Sequence, residues 1–144
     1  MAEFHPFYRF WFTTLDPIFS ATVPLGALFA PALSVKSFAP PAALPPSIEA
    51  TVLLTILSGF FCALILLEVY LLRARPNDLA VWNSVQAGTL IVDVHLLYTL
   101  AKVLGLDPRT WRVEEWANVV FTSWVAVLRI VFLMGVGIKR LKAA

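Results

Sequence analysis

The chain has 144 residues, 60% of them hydrophobic and 14% charged, with a formal net charge of +2 and a mean hydropathy of +0.82. A soluble domain carries roughly 25% charged residues, so this composition excludes one and indicates a polytopic membrane protein. The basic residues form no stripe, which excludes a nucleic-acid interface, and the one cysteine, Cys62, excludes an internal disulfide or a multi-cysteine zinc site.

The N-terminal "MAEFHPFYRF" lacks the basic, apolar and small-residue regions of a cleaved signal. The first helix is therefore expected to stay in the protein. Windows of about 20 apolar residues are long enough to cross a bilayer, and four occur, at roughly 10–32, 50–72, 79–101 and 116–138. The fold class this predicts is all-α: a four-helix transmembrane bundle, up-down-up-down, forming a single transmembrane domain over residues 1–144.

The first window, "FWFTTLDPIFSATVPLGALFAPA", carries three prolines, tolerated where neighbouring helices satisfy the freed backbone groups. A kink is expected near Pro24. Residues 33–47 read as a proline-rich loop without helical periodicity. "RARPND" then ends helix two, with Asn77 or Asp78 placed to cap helix three and set the two antiparallel. "GLDPRTWRVEE" is a short polar crossing into the fourth span. Ser58, Gly59, Gly88 and Gly135 are expected as close-contact positions between helices. Trp11, Trp82, Trp111 and Trp116 lie near span ends, as interface anchors do.

Arg73, Arg75, Lys139, Arg140 and Lys142 share one side of the bundle, against Lys36, Lys102, Arg109 and Arg112 on the other. Under the positive-inside rule, five against four places both termini in the cytoplasm.

A helical rise of about 1.5 Å per residue converts position into depth from the side where helix one starts. Glu68 then falls at about 6 Å, Asp16 at about 9 Å, Arg129 at about 14 Å, Asp93 at about 21 Å, His95 at about 24 Å and Asn118 near about 30 Å. The ionisable groups form two storeys. In the lower, Arg9, Thr13, Asp16 and Ser20 recur at helical spacing, and Arg129 is positioned to pair with Asp16 or Glu68. In the upper, Glu115, Asn118, Thr122, Val125 and Arg129 mark an inward stripe on helix four, with Trp124 deep in the span beside it. Gln86 and Asp93 share a face of helix three, whereas His95 points about 200° away from Asp93. His95 is then open to a structural role, bonded to a neighbouring helix on the side of Gly88 or Tyr98.

An intramembrane carboxyl group must be paired or neutral, and both conditions also make general acids and bases. A buried arginine paired with a carboxylate is equally a device for fixing helix packing. One intramembrane histidine with scattered carboxylates does not make a metal site. No phosphate loop, nucleophile elbow or Cys-His arrangement occurs, so no metal or cofactor is expected.

"FYRFWFTTLDPIFSATVPLGALFAP", "LLEVYLLRARPNDLAVW", "VDVHLLY" and "WANVVFTSWVAVLRIVFLMGVG" resemble, in order, the landmarks of a family of small four-helix fungal integral membrane proteins. That family is catalogued largely as a domain of unknown function. The resemblance covers nearly the whole chain and rests on Asp16-Pro17, Glu68, Asp93 with His95, and Arg129. The family's helix-three pair is spaced one residue further apart, which bears on His95. Some similar proteins are encoded with polyketide and meroterpenoid pathways and are implicated in opening lipophilic epoxides by water or an internal hydroxyl. The resemblance thus implies an endoplasmic-reticulum epoxide hydrolase or cyclase acting on a lipophilic small molecule.

Epoxide opening needs an acid for the leaving oxygen and a base or nucleophile for the attack. The candidate catalytic residues are Asp93, Glu68, Asp16 and His95, with Arg129, Asn118, Tyr98, Trp124 and Gln86 binding or orienting the substrate. On this reading Asp93 is base or nucleophile, Asn118 orients water or the hydroxyl, and Asp16 or Glu68, tuned by Arg129, is the acid; about 12 Å of depth separates Asp16 from Asp93, which leaves open a site of Asp93 with Tyr98 or His95 alone. The alternative is a membrane scaffold, accessory subunit or small carrier whose buried charges are structural. An enzyme predicts a pocket reaching Asp93, and a scaffold predicts a filled centre.

Overall fold

The computed structural model describes residues 2–38, 45–105 and 107–140. A short strand β1 (Ala2–Phe4) leads into helix one, built from α1 (Pro6–Phe10), a π-helical turn over Trp11–Leu15 and α2 (Asp16–Phe29). Then come α3 (Pro31–Phe38), α4 (Ile48–Ala74), α5 (Leu79–Leu104), a 3-10 turn at Pro108–Thr110, α6 (Val113–Leu133) and strand β2 (Ile138–Arg140). Four helices are long and apolar enough to cross a bilayer: Pro6–Phe29, Ile48–Ala74, Leu79–Leu104 and Val113–Leu133. This is the four-helix transmembrane bundle expected. Its flanks carry exposed apolar residues such as Leu66, Ile56, Ile91 and Val120, the surface that lipid would cover.

Local chemistry explains most of the boundaries. Pro6 opens α1, where a missing N–H costs nothing, and His5 Nδ1 accepts from Phe7 N–H at 3.3 Å. Ser47 caps α4 by accepting from Ala50 N–H, and Asp78 caps α5 by accepting from Ala80 and Val81 N–H. Of the two capping candidates, Asp78 is therefore the one used. Glu115 reaches back to Arg112 N–H at 2.8 Å and closes the start of α6.

Four expectations are corrected. Helix one begins at Pro6, four residues before the expected window, because the aromatic-rich "PFYRF" is already helical. Residues 33–38 belong to α3, for which Pro31 at the first position is a favourable start; residues 39–44 of the expected loop lie outside the described residues. Gly59, Gly88 and Gly135 are not close-contact positions, since a Cβ at any of them would meet nothing within 4 Å. Close approach occurs at Gly26, where a Cβ would lie 2.7 Å from Ser34 Oγ as α3 folds back on α2. Ser58 is buried, and its hydroxyl donates to Leu54 O within α4. Pro24 sits inside α2, which runs unbroken to Phe29; the irregularity in helix one is the π turn.

The termini close one end of the bundle. β1 pairs antiparallel with β2, in register Ala2↔Arg140, Glu3↔Lys139 and Phe4↔Ile138. Beneath this ribbon Phe4, Tyr8, Phe12, Leu72, Trp82 and Phe132 form an aromatic plug, with Phe4 stacked on Trp82 at 4.5 Å and Phe132 edge-on to Tyr8 at 5.2 Å. Trp82 is 1% exposed and donates through Nε1 to Arg75 O, so it is a core residue and not an interface anchor. At the other end Trp111 and Trp116 contact each other at 5.0 Å, while Lys36–Glu114 (3.0 Å) and Arg112 to Lys36 O (2.7 Å) hold α3 against the start of α6.

Candidate functional site: a guanidinium among three carboxyl groups

Arg129 enters the bundle interior from α6 and is met there by residues from the other three spanning helices. Its Nη2 donates to Asp16 Oδ2 at 2.6 Å, its Nη1 to Gln86 Oε1 at 2.7 Å and its Nε to Asp93 Oδ2 at 2.8 Å. Glu68 Oε1 from α4 stands 3.6 Å from Nη1 and makes no hydrogen bond. Side-chain exposure is 4% for Arg129, 2% for Asp16 and 4% for Glu68, but 16% for Asp93. The Phe12 ring lies 5.6 Å from the guanidinium carbon and supplies an aromatic floor.

The sequence explains how Asp16 arrives there. Pro17 has no N–H, so the Thr13 carbonyl one turn earlier loses its helical partner. Two features accompany this loss, and the second supplies Thr13 O with a donor. The preceding turn widens to π geometry, Asp16 N–H reaching Trp11 O, and Arg73 Nη2 from α4 donates to Thr13 O at 2.9 Å. The widened turn aims Asp16 inward above Phe12, and Ser20 adds a hydroxyl on the same face. On α5, Gln86 and Asp93 are two turns apart on one face, and both reach Arg129, as their spacing predicts.

The two storeys merge here, which corrects the depth argument. Asp16 and Asp93 share one guanidinium, and two effects close the distance. Helix one starts four residues early, which sinks Asp16 by about 6 Å. Side chains lean toward their helix N-terminus, so Arg129 reaches from its end of α6 toward Asp93.

Other candidates lie elsewhere. His95 is exposed and its Nδ1–H donates to Ile91 O of its own helix at 2.8 Å; among the described residues it bonds no neighbouring helix. Tyr98 is 58% exposed under Lys102 Nζ at 4.6 Å. Trp124 is 51% exposed and faces outward, away from the stripe of Glu115, Thr122, Val125 and Arg129, which is buried. Asn118 is half-buried, eleven residues and about 16 Å of helix rise from Arg129. Glu115 is engaged by Arg112, whose Nε donates to it at 2.8 Å.

Sequence reasoning missed Phe12 and Arg73. Phe12 precedes Asp16 by four residues, one turn on the same face, and Arg73 answers the carbonyl that Pro17 orphans. Both signals were present in the spacing.

A family model described as a domain of unknown function, DUF7704, matches residues 1–139. The chain belongs to the DUF7704 family. No curated protein and no solved structure matches it. In this DUF7704 chain, no cluster of three or more His, Cys, Asp and Glu side chains suited to a metal ion occurs among the described residues. Arg129 takes the centre of the carboxyl group instead. Three carboxyl groups against one guanidinium is an excess of two acids, and the cluster is neutral only when it holds two protons. Such a site can both give and take a proton.

Proposed function

We propose that the protein is a membrane-embedded epoxide hydrolase or cyclase that opens a lipophilic polyketide or terpenoid epoxide by acid/base catalysis. The observation that carries this reading is the convergence of Asp16, Glu68 and Asp93 on Arg129, deep in a bundle whose flanks are apolar. A structural ion pair needs one carboxylate for one guanidinium. The two further acids are costly to bury, and proton transfer is a use for them.

The division of labour follows from the surroundings of each carboxyl group. Asp93 is the most open of the three and acts as base, or as nucleophile. Glu68 Oε1 is committed to no hydrogen bond and is suited to give a proton. Asp16, held by Arg129 at 2.6 Å, fixes the guanidinium. Glu68 protonates the oxirane oxygen as its C–O bond breaks, while water or the substrate's own hydroxyl attacks the carbon and gives its proton to Asp93. The product is a diol or a cyclic ether, and one proton passes from Asp93 back to Glu68 to complete the cycle. The family resemblance implies the substrate class and a fungal pathway setting in the endoplasmic reticulum, and the charge asymmetry alone favours cytoplasmic termini.

The rival reading, a scaffold or accessory subunit, is favoured by the same guanidinium, since its three hydrogen bonds tie α6 to two other spanning helices. Microsomes carrying the wild type, Asp93→Asn or Glu68→Gln, given a panel of terpenoid and polyene epoxides, separate the two. Conversion by wild type and its loss in both variants at equal expression supports catalysis. Conversion that both variants retain removes the cluster from the chemistry, and no conversion of any epoxide favours the scaffold.

A further inference from the structure

We infer that the seam between helix one and the C-terminal end of α4 binds the phosphate of an anionic glycerophospholipid, with Arg9 and Arg73 as its ligands. This site touches the Arg129 cluster only through Arg73's bond to the π turn and does not depend on the proposed chemistry.

Two contacts define the seam. Arg73 Nη2 donates to Thr13 O at 2.9 Å, and Arg9 Nη2 donates to Asn77 Oδ1 at 2.6 Å. Each pair is offset from the other by four residues on both segments, in opposite directions, so the antiparallel register is constant along the seam. Arg9 and Thr13 lie on one face of helix one, as the Thr13 hydroxyl bond to Arg9 O at 2.7 Å confirms. The two guanidinium groups therefore line the same groove, that of Arg73 at Thr13 O and that of Arg9 at Asn77 Oδ1. Guanidinium groups along one groove offer a phosphate charge-assisted donors.

Both arginines have donors to spare. Thr13 O and Asn77 Oδ1 are the one hydrogen-bond acceptor that each guanidinium has among the described residues, and Arg9 Nε is buried without one. Arg73 is exposed. Among the described residues, neither arginine faces a carboxylate within ion-pair distance. Among the described residues at this end, Arg9, Arg73, Arg75 and Lys139 outnumber the carboxylates Glu3 and Asp78, and Asp78 is occupied in capping α5. The local field favours a ligand carrying net negative charge.

The surface beside the seam identifies that ligand as a lipid. Leu66, Tyr70 and Arg73 fall on one row of α4 at three- and four-residue steps. Leu66 is 70% and Tyr70 67% exposed, an uncovered apolar track leading from the guanidinium toward the bilayer centre. Phe10, 56% exposed, lies beside Arg9 in sequence. Cations at the rim over an exposed apolar track match a headgroup phosphate over its acyl chain.

The test uses the full chain in neutral detergent, with phosphatidylinositol, phosphatidylcholine or inorganic phosphate as probe, read by thermal stability and by native mass spectrometry. Phosphatidylinositol is expected to raise Tm and to be retained. Phosphatidylcholine should bind about tenfold more weakly, and Arg9→Gln or Arg73→Gln should each weaken phosphatidylinositol about tenfold, the loss of one charged hydrogen-bonding group. Arg109→Gln, at the far end, should respond as wild type. Equal effects of the two lipids, an equal effect of inorganic phosphate, or an unchanged lipid response in Arg9→Gln and Arg73→Gln would overturn the inference. Should either variant fail to fold, raising salt on the wild type decides: retention of phosphatidylinositol falls if the grip is ionic and is unchanged if only the acyl chains bind.

Discussion

Arg129 and Asp16, 113 residues apart in the chain, meet at 2.6 Å with 4% and 2% of their side chains exposed. This pair joins the last spanning helix to the first, and the other ligands of Arg129 attach the middle two to it. Removing the guanidinium leaves three carboxyl groups facing one another without a cation. Arg129→Leu is therefore expected to cost about 3–5 kcal/mol, the range for breaking a buried pair from one side, or to abolish folded protein. Asp16→Asn keeps an acceptor for Nη2 and lowers the number of acids in the cluster from three to two, so it should cost about 1–2 kcal/mol. Thermal unfolding in detergent, with monodispersity as control, orders the two variants; an Arg129→Leu protein as stable as wild type would show that the cluster holds nothing together.

Pro17 and Arg73 are linked through the Thr13 carbonyl, which one orphans and the other satisfies. Pro17→Ala restores an N–H to helix one and gives that carbonyl a second donor. Loss of Arg73 should then matter less: in a double-mutant cycle, Arg73→Gln is expected to cost about 0.5–1.5 kcal/mol less in the Pro17→Ala background than in wild type. Additive effects would mean that the π turn needs no support from α4.

The glycines separate turn geometry from helix packing. Gly137 has φ +74°, and a Cβ there would lie 3.1 Å from Tyr8 Cε2, so Gly137→Ala combines backbone strain with a clash against the aromatic plug. A cost of about 1–3 kcal/mol is expected. Gly88 is in the middle of α5 with open space around it, and Gly88→Ala should be neutral or stabilising by up to about 1 kcal/mol. Paired melting curves of the two variants are the check, and a destabilised Gly88→Ala would point to a partner packed on that face.

How much of this was legible in the sequence depended on which physical rule applied. The four spans could be read from apolar length, because a bilayer imposes a minimum that "ATVLLTILSGFFCALILLEVYLL" satisfies directly. Which residues share a helix face was also legible: Gln86 with Asp93, and Glu115, Thr122, Val125 and Arg129, follow from the helical period. Depth was not. It sums an uncertain helix start, tilt and the reach of a long side chain, and the resulting error of several ångströms split one cluster into two. Tryptophan position near a span end was similarly ambiguous, because a β ribbon between the termini covers Trp82 and no local pattern announces a pairing of Ala2–Phe4 with Ile138–Arg140. His95 was placed on the correct face, yet its bond to Ile91 O is a choice of rotamer that the period does not determine.

That rotamer gives the sharpest division between the proposed catalytic residues and their neighbours in sequence. Asp93 contacts Arg129, and His95, two positions on, points outward and bonds its own helix. If the proposed chemistry holds, Asp93→Asn removes the base while keeping the shape, and turnover of a converted epoxide should fall by about 10²–10⁴-fold, the usual contribution of a general acid or base. Glu68→Gln removes the proposed proton donor and should fall by a comparable factor. His95→Ala and Tyr98→Phe should keep turnover within about threefold of wild type, a shift of under 1 kcal/mol in barrier. Initial rates at saturating and limiting epoxide, in membranes matched for protein content, distinguish these cases. A large loss in His95→Ala with Asp93→Asn unaffected would move the reaction to the lipid-facing side of α5 and leave the Arg129 cluster a structural lock.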